Sequence, residues 1–380
     1  MTARDRITFV AGLIVLGVSA AMGFGDVFDP LTVPGYDLAA YLAAADRLLA
    51  GRPLYEYDPN SFGLGPYGQF LYPPPIALAF VPLALLPISV AIVLWVLLLE
   101  VIAVAVAIDI ARSVVPAHLP WVLASFLYFP PLLWDVNLGN TATLTLALCW
   151  ATWRLRARPR VAGVLLAAAV GVKLLPLLLV PFLVAAGRVR LLLWAAMTLV
   201  GVALVTWPLV GSAWGEYIGL LRLIAGSAPA SGPNVLPEVL GTGIGRLVLL
   251  VAAMGLGVAA GLVARRMPSA ETRAFAIALA AAPLLSATVW YPYLTLALPL
   301  FVLVGAADPV AAGSRRITPP GAAGRLFIWS LIFFQLFREP ERDFTSPFFG
   351  LLALLGWAAI DVAWQRRRGW LLVPFRAGRT

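Results

Sequence analysis

Few side chains in this 380-residue chain can do chemistry. Asp37 and Tyr41 stand four residues apart, so on a helix they share one face. Asp37 follows Gly35 at the start of a run that carries Leu38, Tyr41, Leu42, Ala45, Leu48 and Leu49 at amphipathic spacing, and Gly51 ends that run. A carboxylate at such a helix start can take a proton from a hydroxyl as a general base. It can equally cap the helix, a role aspartate fills well. Lys173 is the one lysine among 27 basic residues, and it lies in an apolar stretch between Gly171 and Pro176. A cation at membrane depth costs about 2.5–3.5 kcal/mol and usually faces a cavity with an anionic partner. The alternative is snorkelling to an interface, which the apolar residues on both sides of Lys173 make awkward. A buried cation paired with an anion is the favoured reading, and a lipid phosphate is the obvious anion.

Other residues are more equivocal. The turn Trp134-Asp135-Val136-Asn137-Leu138-Gly139-Asn140 offers two carboxamides and an acid, fit either to hydrogen-bond a sugar or to close an ordinary capped turn. Trp290, Tyr291 and Tyr293 place three aromatics together, as membrane-interface belts routinely do. Glu56 and Asp58, beside Tyr55 and Tyr57, have the hard oxygens that ligate a divalent ion, although acidic pairs in solvated loops are commonplace. Glu100 is a further charge inside an apolar run.

The elements that position these groups follow from composition. Hydrophobic residues make up 62% of the chain and charged residues 12%, with a mean hydropathy of +0.93. A soluble domain carries about 25% charged residues, so most of this surface faces lipid, and the fold class is all-α, polytopic and membrane-integral. The formal charge of +9 is spread as short arginine clusters between apolar stretches, with no basic run interleaved with aromatics, so no nucleic-acid partner is expected. The single cysteine, Cys149, and the single histidine, His118, provide neither a disulfide framework nor a zinc site. No cofactor is expected, and a divalent metal finds support only in Glu56 and Asp58.

Apolar stretches of spanning length lie near 7–24, 89–111, 119–134, 191–210, 241–264, 272–288, 291–306, 324–338 and 346–365, and 141–153, short for a span, can recruit Asn140 and Trp150–Trp153 at its ends, about ten full spans in all. The first follows a charged start as a signal peptide does, but its apolar core is nearer span length, and we read it as an uncleaved helix. Residues 70–87 carry five prolines, and residues 161–186 are broken at Gly171, Lys173 and Pro176. Irregular backbone at membrane depth survives only where protein buries it or where it lines a cavity, so both segments are re-entrant or broken-helix candidates. With each returning to its own side, 20 of the 27 basic residues fall on one face and six on the other, leaving Lys173 in the membrane. The positive-inside rule then puts both termini in the cytoplasm and the loops 25–88 and 211–240 outside, in one domain spanning 1–380.

In order, the chain reads Gly35-Tyr36-Asp37-x-x-x-Tyr41, Leu49-Ala50-Gly51-Arg52-Pro53-Leu54-Tyr55, Tyr72-Pro73-Pro74-Pro75, Asn137-Leu138-Gly139-Asn140, Ala162-Gly163 leading to Val172-Lys173-Leu174-Leu175-Pro176, then Asn234, and Ser286 to Trp290. This order resembles glycosyltransferase family 87, the polyprenyl-phosphate-mannose-dependent α-mannosyltransferases of the GT-C superfold, from about residue 5 to about residue 305. The resemblance implies an enzyme of the bacterial plasma membrane with an extracytoplasmic active site. It also implies a polyprenyl-phosphate sugar donor, a glycolipid or glycan acceptor, and a catalytic aspartate in the first external loop. Asp37 falls on that aspartate and Lys173 on the family's lysine, which we assign to the donor phosphate. Tyr41, Tyr55, Tyr72, Asn137, Asn140, Asn234, Trp290 and Tyr293 are the implied substrate-binding set. Asn140 stands where the family usually has glutamine, and Pro292 and Tyr293 stand where it often has histidine. The chain also lacks a Gly-rich nucleotide loop, which fits a donor arriving through the membrane. The expected reaction is inverting transfer of a hexose, mannose first. The alternatives are a lipid-linked sugar transporter or flippase, or a family member that binds such a lipid without transfer.

Overall fold

The computed structural model describes residues 3–27, 34–55, 69–114, 119–227, 242–285, 291–305, 350–351, 353–356 and 358. Every regular element among them is helical. The chain runs through α1 (Ala3–Val27), α2 (Tyr36–Leu49), α3 (Pro75–Ala84), α4 (Ile88–Val114), α5 (Leu119–Leu127), α6 (Pro130–Leu138), α7 (Ala142–Arg154) and α8 (Pro159–Val172). A 3-10 turn at Leu175–Leu179 leads into α9 (Val180–Ala185), α10 (Val189–Val210), α11 (Ala213–Ser227) and α12 (Thr242–Arg266). A second short turn precedes α13 (Glu271–Leu285), and a 3-10 segment Tyr291–Ala297 runs into α14 (Leu298–Gly305).

Proline sets much of this segmentation. It stands in the first turn of α3, α6, α8 and α9, where its missing N–H costs nothing and its fixed φ suits a helix start. The triple proline at 73–75 therefore starts α3 rather than breaking a longer helix. At about 1.5 Å per residue, the ten residues of α3 reach about half of a 30 Å hydrocarbon core.

The expected count of about ten full spans is not confirmed among the described residues. Among the described residues two helices are long and apolar enough to cross a membrane, Ile88–Arg112 within α4 and Val189–Val210, and α5 with α6 adds a third if that pair is one broken span, bent by 55°. The stretch 119–134 read as one span because its hydropathy is continuous. Pro130 and Pro131 withdraw two backbone donors there, so the chain turns at Tyr128 and Phe129 and restarts as α6. The stretch at 324–338 lies outside the described residues. On α10 only Leu191, Ala195 and Val210 are buried, while Leu193, Met197, Val200, Leu204, Val205 and Leu209 are exposed. An apolar helix exposed over most of its circumference needs lipid around it, and the chain is a membrane protein.

The segment 159–187 goes in and returns. Helix α8 ends at Lys173, whose backbone is extended (φ −150, ψ 138), and the chain turns back through Leu175–Leu179 and α9. Its two ends meet at one carboxylate: Arg156 donates to Glu271 Oε2 at 2.8 Å, and Arg188 donates to Glu271 Oε1. Arg156 also lies 4.5 Å over the Trp153 ring, which stacks on Phe275 at 4.7 Å. Gly163 lets α8 close onto α10, since a Cβ there would stand 2.5 Å from Trp194 and 2.7 Å from the Leu191 carbonyl. Replacing Glu271 with Ala leaves two partly buried guanidinium groups without their acid. It should destabilise the protein by about 1–3 kcal/mol, read as a lower thermal midpoint in detergent, whereas Glu271→Gln retains part of the loss as a neutral acceptor.

Candidate active site

Asp37 is placed by two glycines that no other residue replaces easily. Gly35 (φ 77) and Gly139 (φ 66) both sit in the left-handed region and pack face to face, with a Cβ on Gly139 standing 2.8 Å from Leu38 Cβ and 3.5 Å from Gly35 Cα. The Gly35 N–H donates to the Asn137 carbonyl at 2.7 Å, and the Trp95 indole of α4 donates to the Gly139 carbonyl at 2.9 Å. The start of α2 is thereby pinned against the end of α6. Asp37 enters α2 at its second residue and makes no cap; Gly35 holds that position. The capping alternative for Asp37 is not the one the fold uses.

The carboxylate of Asp37 instead accepts a hydrogen bond from Asn140 Nδ2 at 2.5 Å. Oδ1 of the same carboxamide accepts from Lys173 Nζ at 2.5 Å and from the Thr141 N–H at 2.6 Å. Lys173 arrives from the break after α8, is 5% exposed, and does not snorkel. Its ammonium lies 4.3 Å from the Tyr293 ring centre and 5.9 Å from that of Tyr72, two aromatic faces that favour a cation. A helix C-terminus also favours positive charge. Three distant stretches of chain, at residues 37, 140 and 173, converge on one cluster.

The turn at 134–140 divides its labour. Asp135 is fully buried, and its carboxylate accepts the Ala142 and Thr143 N–H groups at 2.9 and 2.7 Å, satisfying donors that the start of α7 leaves unpaired. It holds the turn closed and adds a negative charge near Lys173. Asn137 is buried and supplies its carbonyl to Gly35, while Asn140 joins the cluster.

The aromatic candidates form a wall behind it. The Tyr41 and Tyr72 hydroxyls are 2.7 Å apart, and Tyr41 is buried against Phe70, Tyr72 and Phe80. Tyr55 donates to the Tyr72 carbonyl at 2.6 Å and stacks on Tyr217 at 5.6 Å. Two residues escaped the sequence reading, Glu216 and Tyr217. Glu216 Oε2 accepts the Leu54 and Tyr55 N–H groups at 3.1 and 3.4 Å, tying the segment after α2 to α11. The only trace of Glu216 in the sequence is an acid in the first turn of a helix, a commonplace position. Glu56, Asp58, Asn234 and Trp290 lie outside the described residues. Among the described residues, no group of three or more His, Cys, Asp and Glu side chains is placed to hold a metal ion.

Burial pushes the Asp37 carboxyl up to about 6, while the Asn140 hydrogen bond and the Lys173 charge pull it down and the Asp135 charge adds to the rise. The deprotonated form is the one that can accept a proton. A reaction that uses Asp37 as base therefore keeps full rate above pH about 6 and loses kcat/KM as the pH falls through that value, by about tenfold per unit below it. A pH–rate profile flat from 7 to 4.5 excludes Asp37 from that role.

An all-helical membrane protein that gathers a carboxylate, a carboxamide and a cation against tyrosine faces has the parts of an enzyme acting on a polar, anionic substrate. The chain matches the family model of glycosyltransferase family 87 over residues 70–299 and belongs to that family. It is thus a glycosyltransferase, with a sugar donor and an acceptor. The matched region includes Tyr72, Asn140, Lys173 and Tyr293 and begins after Asp37. No curated protein and no solved structure matches the chain.

Proposed function

We propose that the protein transfers a hexose, with mannose the first candidate, from a polyprenyl phosphate to a lipid or glycan acceptor on the extracytoplasmic side, with inversion, on a GT-C scaffold. The observation that carries this reading is the chain of hydrogen bonds from Asp37 through Asn140 to Lys173. It brings together a proton acceptor and a cation, the two kinds of group that displacement of a sugar from a phosphate uses.

In the step proposed, Asp37 takes the proton of the acceptor hydroxyl as that oxygen bonds to the anomeric carbon. The bond from that carbon to the phosphate oxygen breaks, and its electron pair leaves with the polyprenyl phosphate. The phosphate is already a stable anion, so the protein has to position the two partners and hold the charge of the leaving group. Lys173 holds that charge. Asn140 accepts one of its three N–H protons, and the other two are available to phosphate oxygen. A cation on a membrane-buried turn reaches a phosphate whose lipid tail stays in the bilayer. With Arg156 and Arg188 read as cytoplasmic, the 159–187 hairpin carries Lys173 into the membrane, toward the external face.

Tyr72 and Tyr293 bracket the ammonium and offer their faces to the donor sugar or the lipid head. Tyr55 and Tyr41 support Tyr72 from behind. Asn137, Asn234 and Trp290 complete the proposed substrate-binding set. No metal is needed for this chemistry, because the lysine supplies the positive charge.

Membranes from cells producing the protein, incubated with polyprenyl-phosphate [14C]mannose and then extracted, test the reading. Label in a new glycolipid or glycan, absent in membranes carrying Asp37→Asn, supports it. Label that crosses the membrane unchanged identifies a flippase, and label that is retained without transfer identifies a binding protein.

A further inference from the structure

Asn140 is the least replaceable member of the cluster, for a reason separate from any contact with substrate. The Asp37 carboxylate and the Lys173 ammonium form no direct ion pair; the carboxamide of Asn140 lies between them. An amide presents a donor end and an acceptor end, and here both are assigned by their neighbours. Nδ2 faces a carboxylate, which only accepts, while Oδ1 faces an ammonium and a backbone N–H, which only donate. Rotating the amide by half a turn would set donor against donor and acceptor against acceptor. The residue is 7% exposed, so water does not substitute readily for either contact. Its backbone is held as well, since the Asn140 N–H donates to the Asp135 carbonyl at 2.8 Å.

We propose that Asn140 is a positioning residue that fixes the proton acceptor and the phosphate-binding cation at a set separation, so that loosening one loosens the other. This rests on the reading of Asp37 and Lys173 given above and extends it. A direct ion pair between the two would neutralise both: the carboxylate would be a poorer base and the ammonium a poorer partner for phosphate. Interposing a neutral amide keeps each group charged and oriented while leaving the far side of each open. It also explains how a short carboxamide suffices here, because Gly35 and Gly139 bring α2 and α6 within one amide of each other.

The test uses the full-length protein in detergent or nanodiscs and two readouts. The first is the acid limb of the pH–rate profile. The charged and titratable groups around Asp37 are Lys173 at the break after α8, Asp135 on α6, Tyr36 and Tyr41 on its own helix, and Tyr72 and Tyr293; all are retained in the variants. The second is acetylation of Lys173 by acetic anhydride at fixed pH, read by mass spectrometry of its peptide. That readout is specific because the chain has one ε-amino group, and it does not depend on transfer.

Asn140→Ala should lower kcat/KM about 10- to 100-fold, move the acid limb to higher pH, and speed Lys173 acetylation several-fold. Asn140→Gln should restore part of all three. Asn140→Asp separates the two arms, since a carboxylate still accepts from Lys173 but can no longer donate to Asp37. It should leave acetylation slow while moving the acid limb upward. If acetylation and the acid limb are unchanged in both the Ala and Asp variants, Asn140 positions nothing. If the wild type fails to use a polyprenyl-phosphate hexose, the donor assignment falls, and acetylation in the variants still decides whether Asn140 holds Lys173.

Discussion

Asp37→Asn leaves a folded protein that transfers essentially no sugar, with kcat reduced by about 10²–10⁴, the range that a positioned base supplies. The substitution is nearly isosteric, and the fold gives it little structural work to lose. Asp37 makes no helix cap, and its one side-chain hydrogen bond is to Asn140. An asparagine there keeps an oxygen for Asn140 Nδ2 but cannot take a proton. Donor KM should change little, because Lys173 retains Asn140, Tyr72 and Tyr293 around it. The checks are turnover with polyprenyl-phosphate mannose together with an unchanged thermal midpoint. Near-normal turnover in the purified variant assigns the base elsewhere.

Lys173→Ala produces the second large effect, a loss of about 10²–10³ in kcat/KM for the lipid donor, the magnitude typical of removing a group aimed at developing negative charge. The acceptor KM should not move. Stability is expected to fall by about 1–3 kcal/mol, since Asn140 Oδ1 loses a donor and the buried Asp37 and Asp135 lose a neighbouring cation. Lys173→Arg should recover only part of the activity. A planar guanidinium keeps the charge but not the compact shape that fits between two tyrosine faces and one carboxamide oxygen. Donor affinity unchanged in Lys173→Ala would make the lysine a structural cation of the hairpin.

The sequence showed which residues stand out better than how they meet. Lys173 was legible because a lone lysine flanked by Gly171 and Pro176 in an apolar stretch has few explanations. Asp37 stood out by its place at the head of an amphipathic run, although spacing could not separate base from cap; the left-handed Gly35 takes the cap position itself, which removes the cap reading and leaves the base as the proposal. The return of segment 161–186 was inferred from arginine counts, and its closure at Glu271 was invisible, because Arg156 and Arg188 lie 115 and 83 residues from that acid. Glu216 was missed for the same reason, being 162 residues from Leu54. Spacing rules describe neighbours on one element, and these contacts join elements far apart in the chain. The break inside the apolar stretch 119–134 was hidden for a different cause. Hydropathy averages over a window, so it passes smoothly across Phe129 and Pro130, where the backbone bends by 55°. The turn at 134–140 also read as one polar unit, yet its acid serves α7 and its last carboxamide serves the cluster. That division depends on which way each side chain points, which residue type alone does not specify.

A structure with a polyprenyl phosphate bound bears on whether one chamber serves both Asp37 and Lys173. A phosphate oxygen should lie at about 2.7–2.9 Å from Lys173 Nζ, with the Asn140 bridge retained and the Asp37 carboxylate facing the space where the sugar and acceptor meet. A phosphate seated on arginines at another part of the molecule, with packed side chains closing the space beside Lys173 and Asp37, would show that the two groups serve the fold and that the chemistry lies elsewhere.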